Sequence, residues 1–265
     1  MNVLFSRRLA YVAVPLMLGA LALVASANHS WGGYHWARTS NPFTLKLGDN
    51  VSSGWDSYLA TASNDWSLSN VLDTMVVSGN GGRNCRPTAG RVEVCNNKYG
   101  ANGWLGIAQI WINGSHIVQG TAKVNDTYFN TSTYNKPAWK RLVMCQEIAH
   151  TVGLDHQDEV FNNTNLGTCM DYTNDPDGAL YNQLSNEHPN LHDYEELETI
   201  YAHIDSVTTI KSTTGSKGNH ADINLDDSSE WGKEIRKDSR KHSSLFERDL
   251  GGGHKVVTFV IWTQE

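Results

Sequence analysis

Side chains that can bind a metal ion or accept a proton are concentrated between positions 146 and 156, among them Gln146, Glu147, His150 and His156. Gln146 and His150 are four residues apart, so on a helix they share one face and can reach a single ion. Gly153 permits the left-handed backbone that ends a helix, which lets the chain turn back and present His156. Two imidazoles and a third donor can hold zinc tetrahedrally with one position open. The spacing therefore predicts a zinc site with Glu147 as general base.

This stretch, together with a methionine that follows it, resembles the motif of the metzincin zinc metallopeptidases, H-E-x-x-H-x-x-G-x-x-H followed by a Met-turn. The matching positions are Glu147, His150, Gly153, His156 and Met170. The sequence departs from the family at the first ligand, where Gln146 replaces histidine. The alternative for a histidine on an apolar face is a hydrogen-bonded core residue, and two histidines at this spacing with Glu147, Gly153 and Met170 in register argue against it.

The resemblance implies an α+β fold. The expected elements are a twisted mixed β-sheet with an edge strand over the cleft, a long packing helix, an active-site helix, the Met-turn and a C-terminal helix. It also implies a bound Zn²⁺ and a protein or peptide substrate that adds as a further strand along the edge strand. Met170 is expected to form an apolar base beneath the metal. Tyr172 is expected near the zinc, as a ligand or a stabiliser of the oxyanion, with a buried structural tyrosine as the alternative.

Gln146 decides how far the resemblance extends to chemistry. An amide oxygen is neutral and hard, whereas zinc prefers nitrogen and sulfur, so weaker zinc binding is expected. Three outcomes are open: Gln146 binds zinc through its oxygen, a downstream histidine such as His188 or His192 replaces it, or the site holds no metal. Retention of Glu147 favours the first outcome.

Two functions from different classes follow. The first is a zinc-dependent metalloendopeptidase with Gln146, His150 and His156 as ligands and Glu147 as general base. The second is a catalytically inactive binding protein that keeps the fold and holds a partner in the cleft or on its C-terminal hairpin. The changed ligand at position 146 motivates the second.

The four cysteines, Cys85, Cys95, Cys145 and Cys169, allow three pairings, or four buried thiols. We favour Cys85–Cys95, which would close a short loop, and Cys145–Cys169, which would hold the residue before Gln146 against the residue before Met170. Disulfides are typical of exported proteins.

Residues 1–27 resemble a secretory signal peptide. Arg7 and Arg8 precede an uncharged apolar run, and Ala25-Ser26-Ala27 fits a cleavage site. The alternative is an uncleaved membrane anchor, which the short run and Pro15 disfavour. We therefore expect a secreted protein, extracellular or, in a Gram-negative bacterium, periplasmic, without stable membrane association after cleavage.

The formal net charge of -7 gives no electrostatic support for binding nucleic acid. Two Asp- and Asn-rich stretches, 174–178 and 222–227, lack the ligand spacing of a calcium loop. Composition leaves the oligomeric state open.

The elements that would position the site follow from local patterns. We expect a strand at 42–47, a helix capped by Ser52 or Ser53 and ending near Trp66, and strands at 71–77 and 91–95. Asn113-Gly114 predicts a hairpin of 104–112 with 116–124, and Pro137 begins the motif helix. A final helix is expected over 191–204.

Three regions are expected after the signal peptide. They are a metzincin-like catalytic domain at 28–205, a polar linker at 206–229, and a C-terminal extension at 230–265 with a β-hairpin between 244 and 262.

Overall fold

The computed structural model describes residues 29–210 and 226–264. The expected signal peptide and residues 211–225 of the expected linker lie outside this range. Within the described residues no helix is both long and apolar enough to cross a membrane.

The described residues form six strands interrupted by one helix, then three helices, and then three more strands. The strands are His35–Trp36 (β1), Phe43–Asn50 (β2), Leu72–Ser78 (β3), Val92–Asn97 (β4), Trp104–Asn113 (β5), His116–Asn125 (β6), Lys233–Lys237 (β7), Ser243–Gly251 (β8) and His254–Trp262 (β9). The helices are Asp56–Trp66 (α1), Asp126–Phe129 (α2), Pro137–His150 (α3) and Leu191–Ile200 (α4).

One mixed sheet joins these strands in the order β3-β2-β4-β6-β5-β9-β8-β7, with β1 paired to β6. The pairs β2/β3, β2/β4, β4/β6 and β1/β6 are parallel, and the others are antiparallel. An α+β fold is therefore confirmed. The main apolar core includes buried residues of α1, α3 and the sheet.

Strand β5 is not at the edge of the sheet, which corrects the expectation of an open edge strand over the cleft. It pairs with β6 on one side and with β9 on the other, where Gln109 lies opposite Thr258 and Ala108 opposite Phe259. The physical reason is apolar burial, because residues 256–261 of β9 are all 3% exposed or less. A second apolar cluster packs β8, β9 and the residue Trp231 before β7 against β5; its members are Trp104, Ile107, Trp231, Phe246 and Val260.

Helix α1 begins later than expected. Its N-cap is Trp55, without a side-chain cap. Ser52 does not cap the helix, because its backbone NH donates to Asn96 of β4 and its hydroxyl accepts from the same side chain. The expectation of a serine cap was therefore wrong.

Helix α4 ends at Ile200, four residues before the expected end. Tyr201 is fully buried and donates its hydroxyl to the Val152 carbonyl. The Tyr201 carbonyl accepts from Arg38 and Asn41 rather than continuing the helix. Residues 201–205 instead form hydrogen bonds with the segment that follows β1.

Both disulfides expected from the sequence are present, Cys85–Cys95 and Cys145–Cys169. The second joins α3 to the turn that contains Met170. Positions 146 and 170 are each next to one of its cysteines, so the bridge holds the motif helix against that turn.

Candidate metal centre

His150 and His156 face each other at the C-terminal end of α3. Their Nε2 atoms are 3.0 Å apart and their rings are nearly perpendicular. Gly153 makes this possible: its φ is +98°, and a Cβ there would lie 2.3 Å from the Tyr34 carbonyl oxygen. Only glycine fits both the left-handed backbone and the close approach.

Hydrogen bonds at the far side of each ring orient the two histidines. His150 Nδ1 lies 2.8 Å from the Leu154 carbonyl, and His156 Nδ1 lies 2.7 Å from Glu159 Oε1. Both partners are acceptors, so in each neutral ring the proton resides on Nδ1 and Nε2 carries a lone pair. Two lone pairs then point at one another, an arrangement that a cation between them stabilises.

Burial keeps the His150 ring uncharged. His150 is 1% exposed and His156 is 8% exposed. Burial, and next the nearby His156, lower the pKa of His150 well below its usual value. Neutral imidazole is the form that binds a metal.

Gln146 lies one helical turn before His150, fully buried. Its Nε2 donates to the Cys169 carbonyl at 2.8 Å, which fixes the amide orientation. Its Oε1 finds no hydrogen-bond partner among the described residues. A buried acceptor without a partner is costly, so this oxygen is suited to become a metal ligand. The residues present therefore fit a metal with two nitrogen donors and one oxygen donor.

Glu147 points from α3 towards β5. A Cβ at Gly106 of β5 would lie 2.4 Å from Glu147 Oε1, so glycine there leaves space for the carboxylate. Neither carboxylate oxygen has a hydrogen-bond partner within the described parts of the chain, and the side chain is 1% exposed. Burial raises the pKa of Glu147 well above its usual value. The raised pKa favours the neutral carboxyl group in this buried state and makes the carboxylate a stronger base once it is ionised.

Met170 and Tyr172 follow the disulfide. Met170 is fully buried, and its carbonyl accepts from the Gln157 backbone. The Tyr172 ring packs 4.4 Å from the His156 ring, while its hydroxyl donates to the Val260 carbonyl of β9 at 3.2 Å. Burial raises the pKa of Tyr172 well above its usual value. The hydroxyl is thus held by β9 in this arrangement.

The two histidines considered as replacements for Gln146 have other partners. His188 pairs with Asp65 at the C-terminal end of α1, at 2.7 Å, and its side chain is 51% exposed. His192 packs on His29, with ring centroids 4.8 Å apart.

Three residues at the site were not singled out from the sequence: Phe259, Arg236 and Glu159. Phe259 of β9 stacks on His150. Arg236 of β7 donates twice to Asp155, both at 2.6 Å, and lies 2.8 Å from Glu159. Glu159 had a signal in the sequence, a carboxylate three residues after a candidate ligand. The other two had none, because their approach depends on strand pairing.

No family model and no curated protein matches the sequence. Two solved structures are similar at low identity. High choriolytic enzyme 1, a hatching-enzyme zinc protease from the medaka fish Oryzias latipes, has 11% identity and a TM-score of 0.37 over 65% of this chain and 96% of its own. Myroilysin has 12% identity and a TM-score of 0.36 over 63% of this chain and 96% of its own.

Proposed function

We propose that the chain is a secreted zinc-dependent metalloendopeptidase whose metal ligands are Gln146, His150 and His156. The observation that carries the proposal is the pair of buried imidazoles whose Nε2 atoms face each other at 3.0 Å. The orphaned Gln146 Oε1 supplies a third donor on the same helix. The two disulfides support export, because such bonds persist in oxidising compartments.

A bound zinc ion would supply Lewis acidity to a water molecule and to the scissile carbonyl. Glu147 would take the proton from that water and pass it to the leaving amine. Gly106 leaves room beside the Glu147 carboxylate. Burial raises the pKa of Glu147, so its ionised form is a stronger base. Glu159 would orient His156 through Nδ1, and the Leu154 carbonyl would do the same for His150.

Access to the site requires β9 to leave β5. In the arrangement described, Gln146, Glu147, His150 and His156 are at most 8% exposed, and β9 pairs along the strand that a peptide would use. The form described is therefore closed, and activity belongs to a form in which β7–β9 have moved. A peptide substrate would then pair with β5 in place of β9.

A second candidate is a non-catalytic protein that retains this fold and binds a partner. Two observations favour it. The zinc ligand at position 146 is an amide that already donates to Cys169, and the strand β9 fills the place of a substrate. In this candidate Glu147 has no chemical role.

Zinc content and casein cleavage separate the two candidates. We expect the purified protein to hold a zinc ion at this site, and a His150→Ala, His156→Ala double variant to lose that ion. Cleavage, measured in the wild type and in Phe259→Ala with its loosened β9, should disappear with a chelator and with Glu147→Gln. A folded Phe259→Ala protein that holds zinc and never cleaves would support the binding protein. A protein that takes up no zinc at His150 and His156 would exclude the peptidase.

A further inference from the structure

A second group of metal-binding side chains lies apart from the site described above and shares no residue with it. Its members are His35, His116, His203 and Asp205. His35, His116 and Asp205 each offer one ligand atom, and these three atoms lie within 4.8 Å of one another. His203 joins them, with its Nε2 3.0 Å from His35 Nε2.

Strand register and chain reversal bring the four residues together. His35 of β1 lies directly opposite His116 of β6 in the parallel pair, so their side chains are neighbours on one face. His203 and Asp205 follow α4 two positions apart. Both are held near β1 by Arg38, which donates to the His203 carbonyl and to the Asp205 carboxylate.

The distances match those of ligands around one ion. Asp205 Oδ1 lies 3.5 Å from His35 Nε2, 3.3 Å from His116 Nε2 and 3.5 Å from His203 Nε2. These separations are long for a hydrogen bond. Zinc–ligand bonds of about 2.0–2.1 Å place two ligand atoms of a tetrahedron about 3.3 Å apart, close to the three distances from Asp205 Oδ1.

The remaining hydrogen bonds leave the required atoms available. His35 Nδ1 lies 2.8 Å from the Gly33 carbonyl, so in the neutral ring Nε2 carries the lone pair. Arg38 occupies the other oxygen of Asp205, with its backbone NH at 3.2 Å and its Nη1 at 2.9 Å from Oδ2. Oδ1 therefore faces the histidines. Such contacts at the far side of each ligand are typical of metal sites.

We propose that His35, His116, His203 and Asp205 form a second zinc site, with three nitrogen donors and one oxygen donor. Four protein ligands complete a tetrahedron and leave no open position, which is the arrangement of a structural site rather than a catalytic one. His35 is 6% exposed, whereas the side chains of His116 and His203 are 31% and 51% exposed. The ion therefore enters from the side of these two histidines.

The second site would brace the first through the N-terminal segment 29–36. Trp31 donates its backbone NH to Gly153, and the ring NH of Trp36 donates to Thr151. Asp155 donates its backbone NH to His29. An ion bound by His35 and by the segment after α4 would thus hold residues 29–36 in place. These residues in turn support the turn before His156.

Elemental analysis of four purified forms tests the second site without an activity assay. We expect two zinc ions per chain in the wild type and one in His116→Ala, His203→Ala. We also expect one in His150→Ala, His156→Ala, and none when the two pairs are combined. His188→Ala, His242→Ala, which removes two exposed histidines elsewhere, should keep the zinc content of the wild type.

A thermal measurement adds a second readout. Added zinc should raise the melting temperature of His150→Ala, His156→Ala, because a ligand that binds only the native state stabilises it, and the rise should vanish in the combined variant. The second site is excluded if folded His150→Ala, His156→Ala protein holds no zinc and does not respond to it. It is also excluded if folded His116→Ala, His203→Ala protein keeps the full zinc content. If only the first site is absent, the wild type holds one zinc ion, and that ion is lost only when His116 and His203 are replaced.

Discussion

Phe259 of β9 lies flat against His150 of α3, with ring centroids 4.2 Å apart and ring planes 6° apart. The two residues are joined by no local sequence pattern, and the contact exists because β9 pairs with β5 across the opening of the site. An aromatic ring in this position excludes both water and substrate from a candidate metal ligand. A substitution at Phe259 therefore tests whether the site is closed by β9, whereas a substitution at Glu147 tests the chemistry of the site.

Phe259→Ala should open the site. Removal of a buried phenylalanine costs about 3–5 kcal/mol, and the part of this loss that falls on β9 raises the fraction of molecules in which β9 has left β5. If about 3 kcal/mol acts on that step, cleavage of a fluorogenic peptide rises by up to roughly 100-fold per folded molecule. Phe129→Ala is the matched control, since Phe129 is equally buried but packs on Trp55 instead. Equal rates in the two variants would contradict the closed-state interpretation.

Glu147→Gln should abolish peptide cleavage while zinc remains bound. The amide keeps the shape of the side chain but cannot accept the proton, and loss of a general base costs about a hundredfold to ten-thousandfold in rate. The measurement is kcat/KM with zinc content determined on the same sample. Cleavage at the wild-type rate would remove Glu147 from the mechanism.

Gln146→His should strengthen zinc binding by roughly tenfold or more, since imidazole nitrogen is a better zinc donor than an amide oxygen. Competition with a chromophoric chelator measures the affinity. Gln146→Ala, which removes the donor and also leaves the Cys169 carbonyl without its amide partner, should weaken binding. If neither substitution alters the affinity, Gln146 is not a ligand.

Glu159→Gln should weaken zinc binding by about 10–100-fold, because the carboxylate that accepts from His156 Nδ1 raises the donor strength of that ring. The same chelator competition reports the loss. Glu195→Gln, on the exposed side of α4, is the control and should leave the affinity unchanged. Equal affinities for both variants would show that Glu159 does not position His156.

Asp171→Asn should stabilise the protein above pH 6. Asp171 is buried beside Met170, and burial raises its pKa to about 6 from a usual 3.8. An acid whose folded pKa is raised loses stability as pH rises from its unfolded pKa through its folded one. The melting temperature of the wild type should therefore decrease relative to that of the asparagine variant as the pH rises from about 4 to above 6. A difference that is constant over this range would mean that Asp171 does not titrate there.

The sequence by itself determined the elements whose causes are local. Pro137 at the first turn begins α3, and the four-residue spacing of Gln146 and His150 places both on one face. Asn113-Gly114 ends β5 and turns the chain into β6. Gly153 marks the reversal before His156, since its required backbone is readable from the residue type. The observed disulfides, Cys85–Cys95 and Cys145–Cys169, are also those expected from the sequence.

Tertiary structure alone decided which distant residues meet. The pairing of β9 with β5 converted an expected open edge into a closed site, because apolar strands far apart in the chain are stabilised by burial that no local pattern specifies. The bond from Gln146 to Cys169 fixes the side-chain amide and leaves its oxygen without a hydrogen-bond partner among the described residues. His35, His116, His203 and Asp205 carry no shared motif, and only the register of β1 on β6 and the end of α4 at Ile200 bring their donor atoms together.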